Sequence, residues 1–255
     1  MDSTPTVTHL SLCTGYGGID LGLNRVIRGM RTLAYAEIDA FAVEVLLARM
    51  EDGSLDPAPI WTDVRDFPWH LLHGSVDILS AGYPCQPFSH AGLRKGDNDE
   101  RHLWPHIKRG IESVRPAIVF LENVEGHITM GLSSVISDLE ELGYEAAWGI
   151  FSAEECGAPH RRNRVFIVAT DTLRERGQLP LEWLKPAIED AGSDGTAGRA
   201  EDWSNITSWS IEPTICRIDD GITNRVDRLR ILGNGVVPQT AALAFRTLLR
   251  EVISK

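Results

Sequence analysis

The stretch LSLCTGYGGIDLGLNRVIRGMRTLAYAE, residues 10–37, decides how the rest of the chain is read. Leu10-Ser11-Leu12-Cys13 is a short strand that stops at a cluster of glycines, Gly15-Tyr16-Gly17-Gly18. A helical pattern runs from Gly18 through Ile27, and Arg31 to Glu37 is a second strand. Strand, glycine turn, helix and strand make a βαβ unit, whose two strands lie parallel in one sheet. Further out, an apolar-periodic helix covers Ala40 to Arg49, and compact β-branched runs lie at Val76–Ser80, Ala117–Leu121 and Val165–Ala169. Helical segments at His102–Arg115 and Leu132–Leu142 separate them, so the expectation is an open α/β sheet of parallel βαβ units. The pattern then changes: residues 190–202, DAGSDGTAGRAED, read as a loop rich in Gly, Ser and charge. It recovers with a helical run at Asn224–Leu232, a Gly-Asn-Gly turn and a last helix from Gln239 to Ile253. This is one α/β domain interrupted late by a small irregular insert.

The composition excludes several classes. The 255 residues carry 25 Lys+Arg against 36 Asp+Glu, a net charge of −11, with 43% hydrophobic content. That is ordinary for a soluble globular protein with enough chain to bury a core. Four scattered cysteines (Cys13, Cys85, Cys156, Cys216) contain no C-x-x-C pair, which argues against a disulfide framework and a structural zinc site. The first seven residues lack the apolar core of a signal peptide, and no apolar run reaches the roughly 20 residues of a membrane helix. A cytoplasmic protein with no metal and no membrane contact is expected. The acidic balance disfavours indiscriminate coating of nucleic acid and leaves a locally basic cleft open.

Three stretches carry chemistry. The glycines at 15, 17 and 18 let a nucleotide-like ligand approach a helix N-terminus, or they simply make a tight turn; G-x-G-G departs from the dinucleotide fingerprint. Glu37 lies about 20 residues further on, where a carboxylate can accept ribose hydroxyls, and its plainer reading is a solvated residue ahead of a helix. Asp63, also after a strand, could meet an adenine amino group or serve only as a turn aspartate. Gly82-Tyr83-Pro84-Cys85-Gln86-Pro87-Phe88-Ser89 is more specific: two prolines hold Cys85 in a restricted loop off the end of a strand. A free cysteine is usually a small buried hydrophobe, which suits Cys13, Cys156 and Cys216 better than Cys85.

On these residues the chain resembles the DNA cytosine-5 methyltransferases. Their first motif matches Leu12-Cys13-Thr14-Gly15-Tyr16-Gly17-Gly18, and their nucleophile motif matches Gly82-Tyr83-Pro84-Cys85-Gln86. Glu122-Asn123-Val124, His160-Arg161-Arg162-Asn163-Arg164 and Gly233-Asn234-Gly235-Val236-Val237-Pro238 follow in family order. Cys13 replaces the aromatic residue usual before the first glycine, and His160 the usual Gln of the arginine motif.

The resemblance implies a Rossmann-like sheet that uses S-adenosyl-L-methionine to methylate carbon 5 of a cytosine flipped out of double-stranded DNA. A base inside the stack cannot present its ring to a thiolate, so extrusion is required. Cys85 would be the nucleophile, with Glu122, Arg164, Arg162, Asn123 and Pro84 completing the catalytic set. The cofactor would lie against Cys13, Gly15, Tyr16, Gly17, Gly18, Glu37, Ile38, Asp63, Val64, Leu103, Asn234 and Val236. Ser89, Arg162, Arg217, Arg225 and Arg228 would meet DNA, and His90 to Arg101 would form a mobile lid.

In this family the target-recognition region follows the arginine motif. Residues 1–170 and 223–255 would then form the catalytic domain, and 171–222 a reduced recognition insert. Those 52 residues carry a net charge of −6 and three of the seven tryptophans, a sign opposite to what phosphate contacts want. A paired restriction endonuclease, or a recognition partner acting in trans, is left open. Two alternatives compete: an RNA cytosine-5 methyltransferase, whose usual Cys-Phe-Thr signature is absent from the insert, and a non-catalytic descendant that binds DNA or a partner.

Overall fold

The computed structural model describes residues 6–84, 103–173 and 235–254. Seven strands form one sheet: β1 (Val7–Leu12), β2 (Met30–Ala36), β3 (Ile60–Trp61), β4 (Ile78–Ala81), β5 (Ile118–Val124), β6 (Tyr144–Ser152) and β7 (Asn163–Asp171), in the order β3-β2-β1-β4-β5-β7-β6. The α-helices of the described residues are α1 (Gly18–Val26), α2 (Ala40–Glu51), α3 (Trp104–Val114), α4 (His127–Met130), α5 (Leu132–Glu141) and α6 (Pro238–Ile253).

The expected open α/β sheet is present, and its parallel pairing gives way to antiparallel pairing at one edge. β1 pairs in parallel with β2 and β4, and β4 with β5, but β7 runs antiparallel to both β5 and β6. β6 lies in Tyr144–Ser152, whose interrupted apolar pattern hides it from a count of apolar runs. It forms a hairpin with β7 that slots β7 beside β5, and antiparallel neighbours need no crossover helix.

Side chains of adjacent residues on a strand point to opposite faces. One face of the sheet, with Leu10, Leu12, Leu79, Leu121 and Ile167, packs on residues of α3 and α5 such as Ile107, Ile111 and Leu139. The other, with Ile118, Phe120, Phe166 and Val168, packs on residues of α1 and α6 such as Leu23, Phe245 and Leu248. A polar seam lies inside these layers: His9 sits 3.1 Å from the Thr32 hydroxyl and 2.8 Å from that of Ser80, and Ser11 donates to Asp20 at 3.1 Å. Burial pushes Asp20 up to about 6 and His9 down to about 3, so His9 is neutral at physiological pH.

The strand order reverses direction at β1 and β4. In open α/β sheets the crevice at such a switch, beyond the carboxyl ends of the strands, is where ligands bind. The loops that leave β1 and β4 here are those that begin at Cys13 and at Gly82.

Candidate active site

Two clusters form on the side of the sheet where the parallel strands end and antiparallel β7 begins. The first is built on the turn after β1. Cys13 (φ 49°), Gly15 (φ 57°) and Gly17 (φ 81°) take left-handed backbone conformations that turn the chain sharply into α1. Gly17 and Gly18 are needed for packing: an added Cβ would lie 2.7 Å from Leu55 Cδ1 and 2.2 Å from the Val236 carbonyl oxygen, respectively. A Cβ on Gly15 would meet nothing within 4 Å, so the turn is open to a ligand there.

Glu37 leaves the end of β2 and ties this turn down. Its Oε2 accepts the Gly15 backbone N–H at 2.7 Å, and its Oε1 accepts that of Asp39 at 2.8 Å. Asp39 in turn caps α2 by accepting from Phe41 and Ala42. Each carboxylate oxygen retains a lone pair for a further donor. Asp63 accepts from the backbone N–H of Arg65 at 2.9 Å and pairs with its guanidinium at 2.6 Å, which holds its carboxyl below the ordinary value. The Cys13 thiol is pushed up to about 12 by burial, and then by the charges of Glu37 and Asp63. Both carboxylates therefore bear on the same spot, with Ile38 exposed (68%) beside them. An open backbone turn, two carboxylates and an exposed apolar side chain suit an adenosine, so these residues fit the expected cofactor. Val64 is buried in the core and Leu103 packs against that core.

The second cluster lies at the ends of β5 and β7. Glu122 is 5% exposed, and its Oε1 forms an ion pair with Arg164 Nε at 2.8 Å. Burial pushes its carboxyl up from 4.5 to about 7, against the opposing pull of Arg164 and then Arg162. A Cβ on Gly82 would lie 3.5 Å from Glu122 Oε2, so the carboxyl adjoins the start of the Gly82-Tyr83-Pro84 segment. Asn123 points to the opposite face of the sheet, where its Nδ2 donates to the Tyr83 carbonyl at 3.0 Å.

The Arg162 guanidinium donates to the Gly235 carbonyl. Tyr16 donates its hydroxyl to the Val236 carbonyl, and a Cβ on Gly235 would overlap the Tyr16 ring at 1.7 Å. Tyr16 and Arg162 thus lock the first and last motifs together, with Arg49 over the other part of the Tyr16 ring at 5.3 Å from its centroid. Tyr16 and Val236, both expected against the cofactor, are buried, with Val236 in the core cluster of Ile19 and Leu23.

Cys85, Ser89, Asn234, Arg217, Arg225 and Arg228 lie outside the described residues, as do the expected lid, the helical run at 224–232 and nearly all of the insert. Among the described residues no group of three or more His, Cys, Asp and Glu could hold a metal ion, and no helix is long and apolar enough to cross a membrane. Sequence reasoning missed the buried partner of Tyr83, His127, whose imidazole lies 3.0 Å from the Tyr83 hydroxyl. They stand 44 positions apart, and no local pattern links them.

The family model for C-5 cytosine-specific DNA methylase matches residues 7–194. Type II methyltransferase M.NlaX of Neisseria lactamica is 36% identical over 164 residues, which are 62% of this chain and 50% of that protein. M.NgoMIV of Neisseria gonorrhoeae is 30% identical over 213 residues, 80% of this chain and 65% of the relative. M.CviJI of Paramecium bursaria Chlorella virus IL3A is 31% identical over 244 residues, 94% of this chain and 58% of the relative. The chain therefore spans about half to two-thirds of the length of these relatives. Among solved structures, the S. pombe Dnmt2 methyltransferase shares the fold at a TM-score of 0.63, with 16% identity and coverage of 96% of this chain and 99% of that one.

Proposed function

The chain belongs to the C-5 cytosine-specific DNA methylase family, and from that premise we propose that it methylates carbon 5 of a flipped-out cytosine in double-stranded DNA as the modification enzyme of a Type II system. The observation that carries this reading is the buried Glu122 carboxyl, raised to about 7, paired with Arg164 and set against the start of the Pro84-Cys85 segment. Carbon 5 of cytosine is a weak nucleophile because the ring is aromatic. Addition of the Cys85 thiolate to carbon 6 makes carbon 5 enamine-like. Nitrogen 3 must gain a proton or a strong hydrogen bond as the thiolate adds. A carboxyl whose pKa lies near 7 can hold that proton at neutral pH, and an ordinary surface glutamate cannot. Arg164 fixes the orientation of Glu122 and leaves guanidinium donors for the carbonyl of the base.

S-adenosyl-L-methionine supplies an electrophilic methyl group, and Gly15, Glu37, Ile38 and Asp63 are the residues that would hold its adenosine. After transfer, loss of the carbon 5 proton and expulsion of Cys85 restore the aromatic ring and free the thiolate. Residues 1–170 with 223–255 would form the catalytic domain and 171–222 the recognition insert, with Ser89, Arg217, Arg225 and Arg228 toward DNA. A paired endonuclease would be the partner that such a system implies.

The test is a covalent trap. DNA carrying 5-fluorocytosine has no carbon 5 proton to lose, so it should accumulate a stable protein adduct that depends on S-adenosyl-L-methionine. The adduct should be absent in Cys85→Ser. Methylation of ordinary DNA by Cys85→Ser at the wild-type rate would defeat the mechanism.

A further inference from the structure

The backbone that leads into Pro84 and Cys85 is held from three sides. Asn123 donates to the Tyr83 carbonyl from the end of β5. The Tyr83 ring packs on Trp104, the first residue of α3, with centroids 5.6 Å apart. Its hydroxyl lies 3.0 Å from Nε2 of His127, the first residue of α4. Tyr83, Asn123 and His127 are all buried. The platform is itself fixed, because Trp104 donates its indole N–H to Asp138 of α5 at 2.6 Å. Gly131 lets the backbone approach the His127 ring closely, since an added Cβ would lie 3.0 Å from its Cε1.

Burial lowers the His127 pKa, so the imidazole favours its neutral form, in which Nε2 can accept the Tyr83 hydroxyl proton. A phenylalanine at 83 would fill the same space and keep the Trp104 contact. What the hydroxyl adds is direction, since a buried O–H is costly in any orientation that leaves it unpaired. Neither side chain was assigned a role by the reaction described above.

We propose that Tyr83 and His127 are positioning residues for the nucleophile: their buried hydrogen bond fixes the backbone from which Pro84 and Cys85 depart, without contact to substrate or cofactor. This rests on the reading of Cys85 as the nucleophile of cytosine methylation. Small displacements of a reacting group have large kinetic effects, because the near-attack geometry is lost. The pair therefore governs the rate of transfer and leaves the adenosine site, built on β1 and β2, unchanged.

The experiment uses the full chain, unmethylated genomic DNA of mixed sequence and S-adenosyl-L-methionine, with kcat, KM, cofactor affinity by calorimetry and thermal midpoint measured for each protein. Tyr83→Phe and His127→Leu should each lower kcat about tenfold while KM for the cofactor and its affinity stay within about twofold. The double variant should be no slower than the worse single variant, since both changes break one interaction. His127→Gln, whose amide can still meet the hydroxyl, should recover most of the rate. Wild-type kcat in Tyr83→Phe and His127→Leu would overturn the inference, as would rate losses that simply add or that only track the folded fraction. A wild-type protein that methylates no DNA would overturn the function itself, and this inference with it.

Discussion

At Glu122 burial and charge act in opposite directions, and burial wins. Its carboxyl keeps a proton up to about pH 7 although Arg164 sits at 2.8 Å. Between pH 4.5 and about 7 the folded state holds a proton that the unfolded chain has released, so raising the pH across this window favours unfolding. Urea midpoints of wild type should therefore fall relative to Glu122→Gln as pH rises through that range. The same substitution should lower kcat by about a hundredfold or more, the scale of a lost general acid. In wild type, kcat should decline above about pH 7 as the carboxyl ionises. Cys13 is an opposite case, a thiol made inert by burial and two neighbouring carboxylates that push it up to about 12. Mass spectrometry after iodoacetamide treatment of the folded protein at pH 8 should find Cys13 unmodified, because the thiolate is the reactive form. Rapid labelling of Cys13 would contradict the packing around the first glycine turn.

At the scale of elements, the site depends on how closely α1 and α6 approach. Gly22, one turn after Gly18, faces the start of α6: an added Cβ would lie 2.6 Å from the Pro238 carbonyl oxygen and 2.8 Å from Ala241 Cβ. Both contacts are with groups that cannot swing aside, since one is backbone and the other a methyl on a buried helix. Gly22→Ala should cost about 1–3 kcal/mol, the scale of overpacking, even though alanine favours a helix more than glycine does. Chemical denaturation would measure it, and an unchanged or raised midpoint would show that the two helices are free to separate. The β6–β7 hairpin serves the site in another way. It brings Arg164 alongside Val124 in register, so that Arg164 and Glu122 share one face of the sheet. Because β7 is antiparallel, it is the start of the strand that meets the end of β5, whereas a parallel strand would bring its carboxyl end there.

At the scale of the whole molecule, the proposed function raises the question of how a DNA sequence would be chosen. Direct readout needs side chains in the major groove, each bidentate contact being worth about 1–3 kcal/mol. Residues 171–222 carry a net charge of −6 and a Gly/Ser-rich stretch, with little apolar material for a core of their own. The expected outcome of methylome sequencing with the purified protein alone is a short recognition sequence, about two to four base pairs. A stringent site of about six base pairs under those conditions would contradict this. The same stringent site seen only with a second protein present would indicate that recognition is supplied in trans.

Local chemistry made much of this protein legible from its residues. The βαβ start, the glycine turn, the helix bounds near residues 18, 40, 104, 132 and 238, and the place of Glu37 after the second strand rest on short-range patterns, whereas Glu122 and Arg164 stand out only through the family resemblance. Glycine, proline and apolar period act within a few residues of themselves. The tertiary structure decided what such patterns cannot carry. Antiparallel β7 was hidden because a buried strand reads the same in either direction. Tyr16 bonds to the Val236 carbonyl across 220 positions of sequence, and Tyr83 pairs with His127 across 44. The proton on Glu122 depends on how much water the fold removes from a carboxyl beside an arginine. Burial and long-range contact belong to the folded chain as a whole, so no stretch of sequence holds them by itself.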